Sequence, residues 1–257
     1  MILFGKIVFG PVHSRRLGIS LGINLLPADG KVCTFDCIYC ECGYNANRRT
    51  HTGLPDRKAV YEALERRLAA MKEAGEELNV ITFAGNGEPT LHPQFPEIID
   101  DTIKLRDTYF PEVKISVLSN ATRIDDARVF STLNKVDNNI LKIDSVYDDT
   151  IRRINAPVAQ RFSAEELIER LCRFNGKLIV QTLFLQGEHN GAVIDNTTDR
   201  EVESWIAAIR RIAPQKVMVY TIDRETPEKN LRKVSPEKLN KIAHRVEALG
   251  IEVSVSY

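Results

Sequence analysis

Short apolar runs alternate with amphipathic stripes along this chain. The runs Gly18–Leu25, Val80–Ala84, Lys114–Leu118, Asn139–Ile143, Leu178–Leu185, Lys216–Tyr220 and Ile251–Ser256 are strand-like. Most are continuous and rich in β-branched residues, the pattern of parallel strands covered on both faces. Between them, Val60, Leu64, Leu68 and Met71 repeat at helical spacing after Pro55-Asp56. Leu167, Ile168 and Leu171 follow Ser163, with Glu166 in the capping-box position and Asn175-Gly176 as the stop. Val202, Trp205, Ile206 and Ile209 follow Thr198 and Glu201 in the same way. Leu239, Ile242, Val246 and Leu249 follow Ser235-Pro236 and end at Gly250. Weaker helical patterns cover Pro96–Thr108 and Asp125–Leu133. A β-α unit repeated about six times, then a last strand, predicts an α/β fold with a parallel sheet. Periodicity alone leaves open an incomplete or complete barrel and a doubly wound sheet. No linker or low-complexity segment divides the chain, so a single domain over residues 1–257 is expected.

Charge removes some partners. Lys plus Arg and Asp plus Glu are 35 each, a formal net charge of zero. That balance argues against a dedicated nucleic-acid binder. No apolar run reaches the roughly 18 residues of a membrane span. The start of the chain lacks the basic and cleavage features of a signal peptide. The five cysteines are bunched, four of them between Cys33 and Cys42, unlike a disulfide scaffold. A reducing cytoplasmic setting is expected.

The bunched cysteines carry the chemistry. In the loop 31–43, Cys33, Cys37 and Cys40 have the spacing C-x3-C-x2-C, after the first predicted strand and before the first long helix. In α/β barrels the C-terminal ends of strands carry the active site. Thiolates this close call for a soft metal. Three of them can hold three corners of a [4Fe–4S] cube and leave the fourth iron open. A tetrahedral zinc using Cys42 as fourth ligand is the alternative, although these spacings are cramped for it. A thioredoxin-like Cys37-x-x-Cys40 would leave Cys33 unexplained. Cys42 is taken as a bystander and Cys172 as core packing.

C-x3-C-x2-C with Tyr39 before the last cysteine resembles the signature of the radical S-adenosylmethionine (SAM) superfamily. Asn86-Gly87-Glu88-Pro89, after the second strand, resembles its Gly-Gly-Glu-Pro motif, with Asn in place of the first glycine. The stretches Phe9–Gly18 and Val219–Arg224 resemble a branch that contains the tRNA wybutosine-pathway enzyme 4-demethylwyosine synthase and uncharacterised Fe–S oxidoreductases. The resemblance implies an incomplete (β/α)6 TIM-like barrel. It implies a [4Fe–4S] cluster held by Cys33, Cys37 and Cys40, and SAM bound at the open iron. Reductive cleavage of SAM would give methionine and a 5′-deoxyadenosyl radical, which takes a hydrogen from an unidentified substrate. Glu88 would grip the SAM ammonium, beside Gly87 and the backbone carbonyl of Asn86. Tyr39 would pack near the adenine. Asn120 and Asp144, at strand tips, would contact SAM or substrate. Gln181, an amide in an apolar strand, needs partners that a cofactor could supply. An electron donor such as flavodoxin or ferredoxin is implied, and a monomer is expected. The substrate class stays open among small molecule, peptide and tRNA. A tRNA-modifying enzyme is one alternative, weakened by the neutral charge, and a non-catalytic zinc-bound interaction module is another.

Paired arginines recur. Arg15-Arg16 and Arg48-Arg49 flank the first strand and the cysteine loop, where they could clamp a carboxylate or phosphate of cofactor or substrate. Arg66-Arg67 and Arg210-Arg211 suit solvated helix faces. Arg152-Arg153, four residues after Asp148-Asp149, suit an ion-paired turn. His92 suits a helix start. Gly187, Gly191 and Asp195-Asn196-Thr197 mark a polar loop, either a lid or a plain connection.

Overall fold

A computed structural model describes residues 2–45 and 50–257, so Arg48-Arg49 lies outside the described residues. The main sheet has eight strands in the order β1 (Val8–Ser14), β2 (Gly18–Ile23), β3 (Val80–Phe83), β4 (Lys114–Ser119), β5 (Asn138–Lys142), β6 (Ile179–Phe184), β9 (Lys216–Thr221) and β11 (Glu252–Ser256). From β2 to β11 every pairing is parallel, while β1 adds to β2 as an antiparallel edge. Edge strands β1 and β11 are not paired with each other, so the curled sheet is an incomplete barrel. This settles the open choice in favour of the partial barrel. All seven strand-like runs of the sequence are strands of this sheet.

Helices α1 (Arg57–Glu73), α2 (Phe95–Tyr109), α3 (Ala127–Leu133), α5 (Ala164–Cys172), α6 (Asp199–Ile212) and α7 (Pro236–Glu247) are seven with the short α4 (Asp148–Ile154) among the described residues. Their stripes pack on the outward-facing strand residues, such as Ile81, Ile115, Leu141, Val180 and Val217, in one continuous core. Asp56, Asp126, Ser163, Thr198 and Ser235 cap their helices through the side chain. The two capping boxes are only half made. Glu166 pairs with Arg170 at 3.0 Å, and Glu201 accepts from Ser145 at 2.7 Å and Thr150 at 2.6 Å. Among the described residues no helix is long and apolar enough to cross a membrane.

Inside the barrel, strand parity decides what faces the lumen. Ile140, Ile179 and Met218 form a small lower cluster, and Leu17 from the β1–β2 turn packs into it. An upper cluster holds Phe35, Ile38, Leu183 and Leu185 around the cysteine loop. A three-stranded sheet of β10 (Leu231–Arg232), β7 (Gln186–His189) and β8 (Ala192–Asp195) replaces the expected polar loop. Its joint is Asn196, buried, which donates to the carbonyls of Asp144 and Leu183 and accepts from Leu185 N. The expected ion-paired turn at Asp148–Arg153 is instead α4. Asp148 accepts from Ala164 N at 2.7 Å, and Arg152 reaches the carbonyls of Gln160 and Phe162.

Candidate functional site

The cysteine loop is fixed mainly by backbone bonds. Val32 N donates to Asn86 O at 2.9 Å and Glu88 N donates to Val32 O at 3.0 Å, a one-residue parallel bridge to the loop after β3. Gly87, at φ +135°, makes this approach possible, since a Cβ there would lie 1.8 Å from Val32 O. On the other side, Asp36 N and Ile38 N donate to the carbonyls of Asn155 and Ile154 at the end of α4, at 2.8 and 3.0 Å. Asn45 holds both the amide and the carbonyl of Cys33, at 3.0 and 2.9 Å. Phe35 and Ile38 are buried beneath the loop.

Cys33, Cys37 and Cys40 open into one cavity of about 290 Å³ at the C-terminal end of the barrel. Gly87, Glu88, Asn120, Tyr39 and Gln181 line it too, along with Lys142, Tyr220, Arg15 and Arg16. Glu88 is buried, and its Oε1 accepts from Thr90 N at 3.2 Å, Thr90 Oγ1 at 2.6 Å and Ser119 Oγ at 2.8 Å. Its Oε2 accepts from Asn120 N at 2.7 Å and has room for another donor. Burial pushes the Glu88 pKa up despite these bonds. The Asn120 amide donates to Thr34 Oγ1 at 2.8 Å and to Cys33 Sγ at 3.4 Å.

Two expected contacts stand one layer back. Asn86 is fully buried but is turned to the N-terminal segment: its side chain bonds Phe4 N and O at 2.9 and 3.0 Å and donates to Pro27 O at 2.8 Å. Its carbonyl is taken by Val32 N, so Asn in place of glycine serves as a brace. Asp144 is buried behind the wall, where it accepts from the Tyr39 hydroxyl, from Asn155 Nδ2 at 2.7 Å and from Leu183 N at 2.9 Å. Gln181 lines the cavity, and its Oε1 accepts from Arg16 Nη1 at 2.9 Å.

Sequence reasoning missed Lys142. Its ammonium donates to Tyr39 OH at 2.7 Å and Tyr220 OH at 3.2 Å and lies 3.3 Å from Asp144. Burial alone would lower its pKa, but Asp144, Tyr220 and Cys37 outweigh that and raise it. The available signal was a lysine two residues before Asp144 on an otherwise buried strand, hence on the same inward face. Lys31 was missed as well. Burial opposes its charge too, but Cys40, Cys37 and Cys33 together with Asp36, 3.1 Å away, raise its pKa.

The sequence matches the Radical SAM superfamily over residues 29–198. The chain belongs to that superfamily. Radical SAM proteins use a [4Fe–4S] cluster and SAM, and these are its cofactors. The chain also belongs with the UPF0026 proteins. It is 30% identical to that of Methanocaldococcus jannaschii over 92% of this chain and 70% of that one. It is 32% identical to that of Synechocystis over 86% of this chain and 77% of that one. A protein named GTPase Obg from Brachyspira hyodysenteriae is 28% identical over 97% of this chain, which spans only 35% of that protein. Solved structures share the fold. A radical SAM methyltransferase from Sphaerobacter thermophilus has a TM-score of 0.67 at 17% identity, covering 93% of this chain and 66% of its own. SuiB of Streptococcus suis bound to SAM has 0.63 at 14%, covering 91% and 51%. TYW1 with a lysine–pyruvate adduct bound has 0.60 at 15%, covering 91% and 75%.

The radical SAM donor set fits this cavity. Phe35 N and Asn120 Nδ2 each donate to Cys33 Sγ at 3.4 Å, and Asn155 Nδ2 donates to Cys37 Sγ at 3.4 Å, the kind of N–H···S bond that tunes cluster sulfurs. Among the described residues no three His, Cys, Asp or Glu side chains converge on a point where one metal ion would sit. Burial first and then Glu88 push the Cys33 thiol up to about 12, and burial raises Cys37. A hydrogen bond with Cys42 lowers the Cys40 thiol and raises its partner's. Cys42 also donates to Gly85 O at 3.3 Å, so it is a neighbour of the site and not part of the cavity wall.

Proposed function

We propose that this chain is a radical SAM oxidoreductase in which Cys33, Cys37 and Cys40 hold the cluster, acting on a small-molecule or peptide substrate. The observation that carries the reading is the convergence of these three thiols with Glu88 on one cavity, the two loops joined by the Val32–Gly87 bridge. When bound, cluster and SAM together supply a reductive cleavage to methionine and a 5′-deoxyadenosyl radical, which takes hydrogen from the substrate. The residues of the chain place the reactants. The free lone pair of Glu88 Oε2 accepts from the ammonium of SAM, a charge-assisted bond that fixes the amino-acid end. Gly87 keeps the backbone close enough for that carboxylate to face the thiols. Asn120 ties Glu88 to the cysteine loop, and its amide takes part in orienting Cys33. The Tyr39 ring, held through its hydroxyl by Asp144, forms a wall, with Lys142 beside it. Asp144 and Asn86 are positioning residues. Lys31, beneath the thiols, offsets their charge. Leu118, Leu183 and Phe35 exclude water from the walls. A one-electron donor of the flavodoxin or ferredoxin kind completes the system.

Anaerobically reconstituted protein given SAM and dithionite is expected to release methionine and 5′-deoxyadenosine. Cys37→Ala is expected to lose the brown colour and the bound iron and sulfide, whereas Cys172→Ala keeps them. A fully iron-loaded preparation that cleaves no SAM would overturn the proposal. Bulk tRNA that raises 5′-deoxyadenosine formation with steep salt dependence would move the substrate to nucleic acid.

A further inference from the structure

The two stretches Phe9–Gly18 and Val219–Arg224 are far apart in sequence, and nothing in the cleavage of SAM uses them. The fold brings them together along one side of the cavity. The β1–β2 turn enters the barrel from below, with Leu17 seated on Ile140, Ile179 and Met218. Arg15 Nη2 reaches Asp223 Oδ2 at 3.3 Å. The Arg16 guanidinium stacks on the ring of Tyr220, 4.4 Å from its centre, and donates one N–H to Gln181 at 2.9 Å.

Pairing the charges of the cavity wall isolates one cation. Arg15 pairs with Asp223, Lys31 with Asp36, Lys142 with Asp144, and Arg224 with Glu41. Arg16 lines the cavity and has no carboxylate partner among the described residues. A guanidinium cannot lose its proton, and a half-buried cation without a counter-ion favours an incoming anion. Gln181 and Tyr220 hold the fork flat and leave its other N–H groups free. Glu88, the unpaired anion of the cavity, makes its hydrogen bonds to Thr90, Ser119 and Asn120 and none to Arg16 among the described residues.

We infer that Arg16 is an oxyanion-binding residue of the substrate site, so that the substrate carries a carboxylate or a phosphate that rests on this side of the cavity. The inference rests on the radical SAM reading above and adds the substrate's charge to it.

Calorimetric titration of the cluster-loaded protein with malonate and with inorganic phosphate tests it. One equivalent of at least one anion is expected to bind, and the tighter of the two names the source. Arg16→Gln is expected to weaken that binding by roughly tenfold or more, as loss of a charge-assisted bond does. Arg66→Gln, on the outer face of α1, is expected to leave it unchanged. Arg16→Lys, which keeps the charge without the fork, is expected to fall between wild type and Arg16→Gln, and it decides the matter if Arg16→Gln does not fold. Binding of neither anion by the wild type overturns the inference, as does equal binding by Arg16→Gln. An equal loss of SAM affinity in Arg16→Gln also overturns it, because Arg16 would then belong to the cofactor. SAM cleavage by the same wild-type preparation is read separately. Its absence would remove the radical SAM reading, whatever the anion titration shows.

Discussion

Glu88 Oε1 receives three hydrogen bonds and Oε2 one, so the carboxylate is oriented before any ligand arrives. Glu88→Gln keeps the shape but turns one oxygen into a donor facing Asn120 N–H or the two hydroxyls. The SAM dissociation constant is expected to rise about tenfold or more, the loss typical of a charge-assisted bond, by equilibrium dialysis on the loaded protein. His92 permits a pH test. Its Nδ1 accepts from Gln94 N at 3.1 Å, a bond that needs the neutral ring, and its Nε2 therefore donates to Pro55 O at 2.8 Å. Burial lowers its pKa below the ordinary 6.5. The folded protein thus binds fewer protons than the unfolded one below about pH 6.5. His92 contributes full stability above that pH and loses it as pH falls. The thermal midpoint of His92→Gln is expected to vary less than that of wild type between pH 7 and pH 5. The cysteines were legible at this scale because their spacing is unusual. Lys142 was not, because a lysine in a strand looks ordinary until the lumen around it is known; the Arg15-Arg16 pair stood out as an anion clamp, but only the fold shows that Arg15 pairs with Asp223 while Arg16 meets Gln181 and Tyr220.

At the scale of elements, the Val32–Gly87 bridge is the joint of the site. Gly87→Ala would place a methyl at 1.8 Å from Val32 O in a backbone region unfavourable to side chains. A loss of about 2–4 kcal/mol in urea unfolding is expected from strain and overpacking together, with reduced iron retention in the same preparation. The seven parallel strands were legible because burial on both faces leaves long apolar runs. Strand β1 was not. Val8–Ser14 contains Gly10-Pro11, has a register shift between Phe9 and Val12, and is only partly buried, so neither alternation nor an apolar run marks it. Strands β7 and β8 were read as a loop for a similar reason: they are four residues each, carry Gly187 and charged residues, and cover only one end of the barrel. The capping-box glutamates kept their spacing but took other partners, since Ser145 and Thr150 offer Glu201 hydroxyls that the sequence places 50 or more residues away.

For the whole molecule, the partial barrel divides into an outer core under the helices and a lumen split between a plug and a reaction chamber. The plug is a single partly buried leucine from the edge hairpin. Leu17→Ala is expected to lower stability by about 1–3 kcal/mol, at or below the low end for buried leucines. The lone tryptophan, Trp205, is buried and bonded to Thr182 at 3.0 Å, so its fluorescence reports that unfolding. The partial barrel was legible only through the resemblance carried by the cysteine and Gly87-Glu88-Pro89 motifs, because strand runs and helical stripes are the same in a curled sheet and in an open twisted one.

The Arg15-Arg16 side of the cavity has a bearing on when the chamber exists at all. Arg15 bonds the backbone carbonyl of Tyr257 across 242 residues of sequence. At about 5–20 residues per second, a ribosome needs roughly 12–48 s to make the chain between these two groups. During that interval the groups that the β1–β2 turn leans on, Gln181, Tyr220 and Asp223 and then Tyr257, are made one after another. The thiol loop and its β3 partner can meet early, while the surroundings of Arg15 and Arg16 wait for β6, β9 and β11.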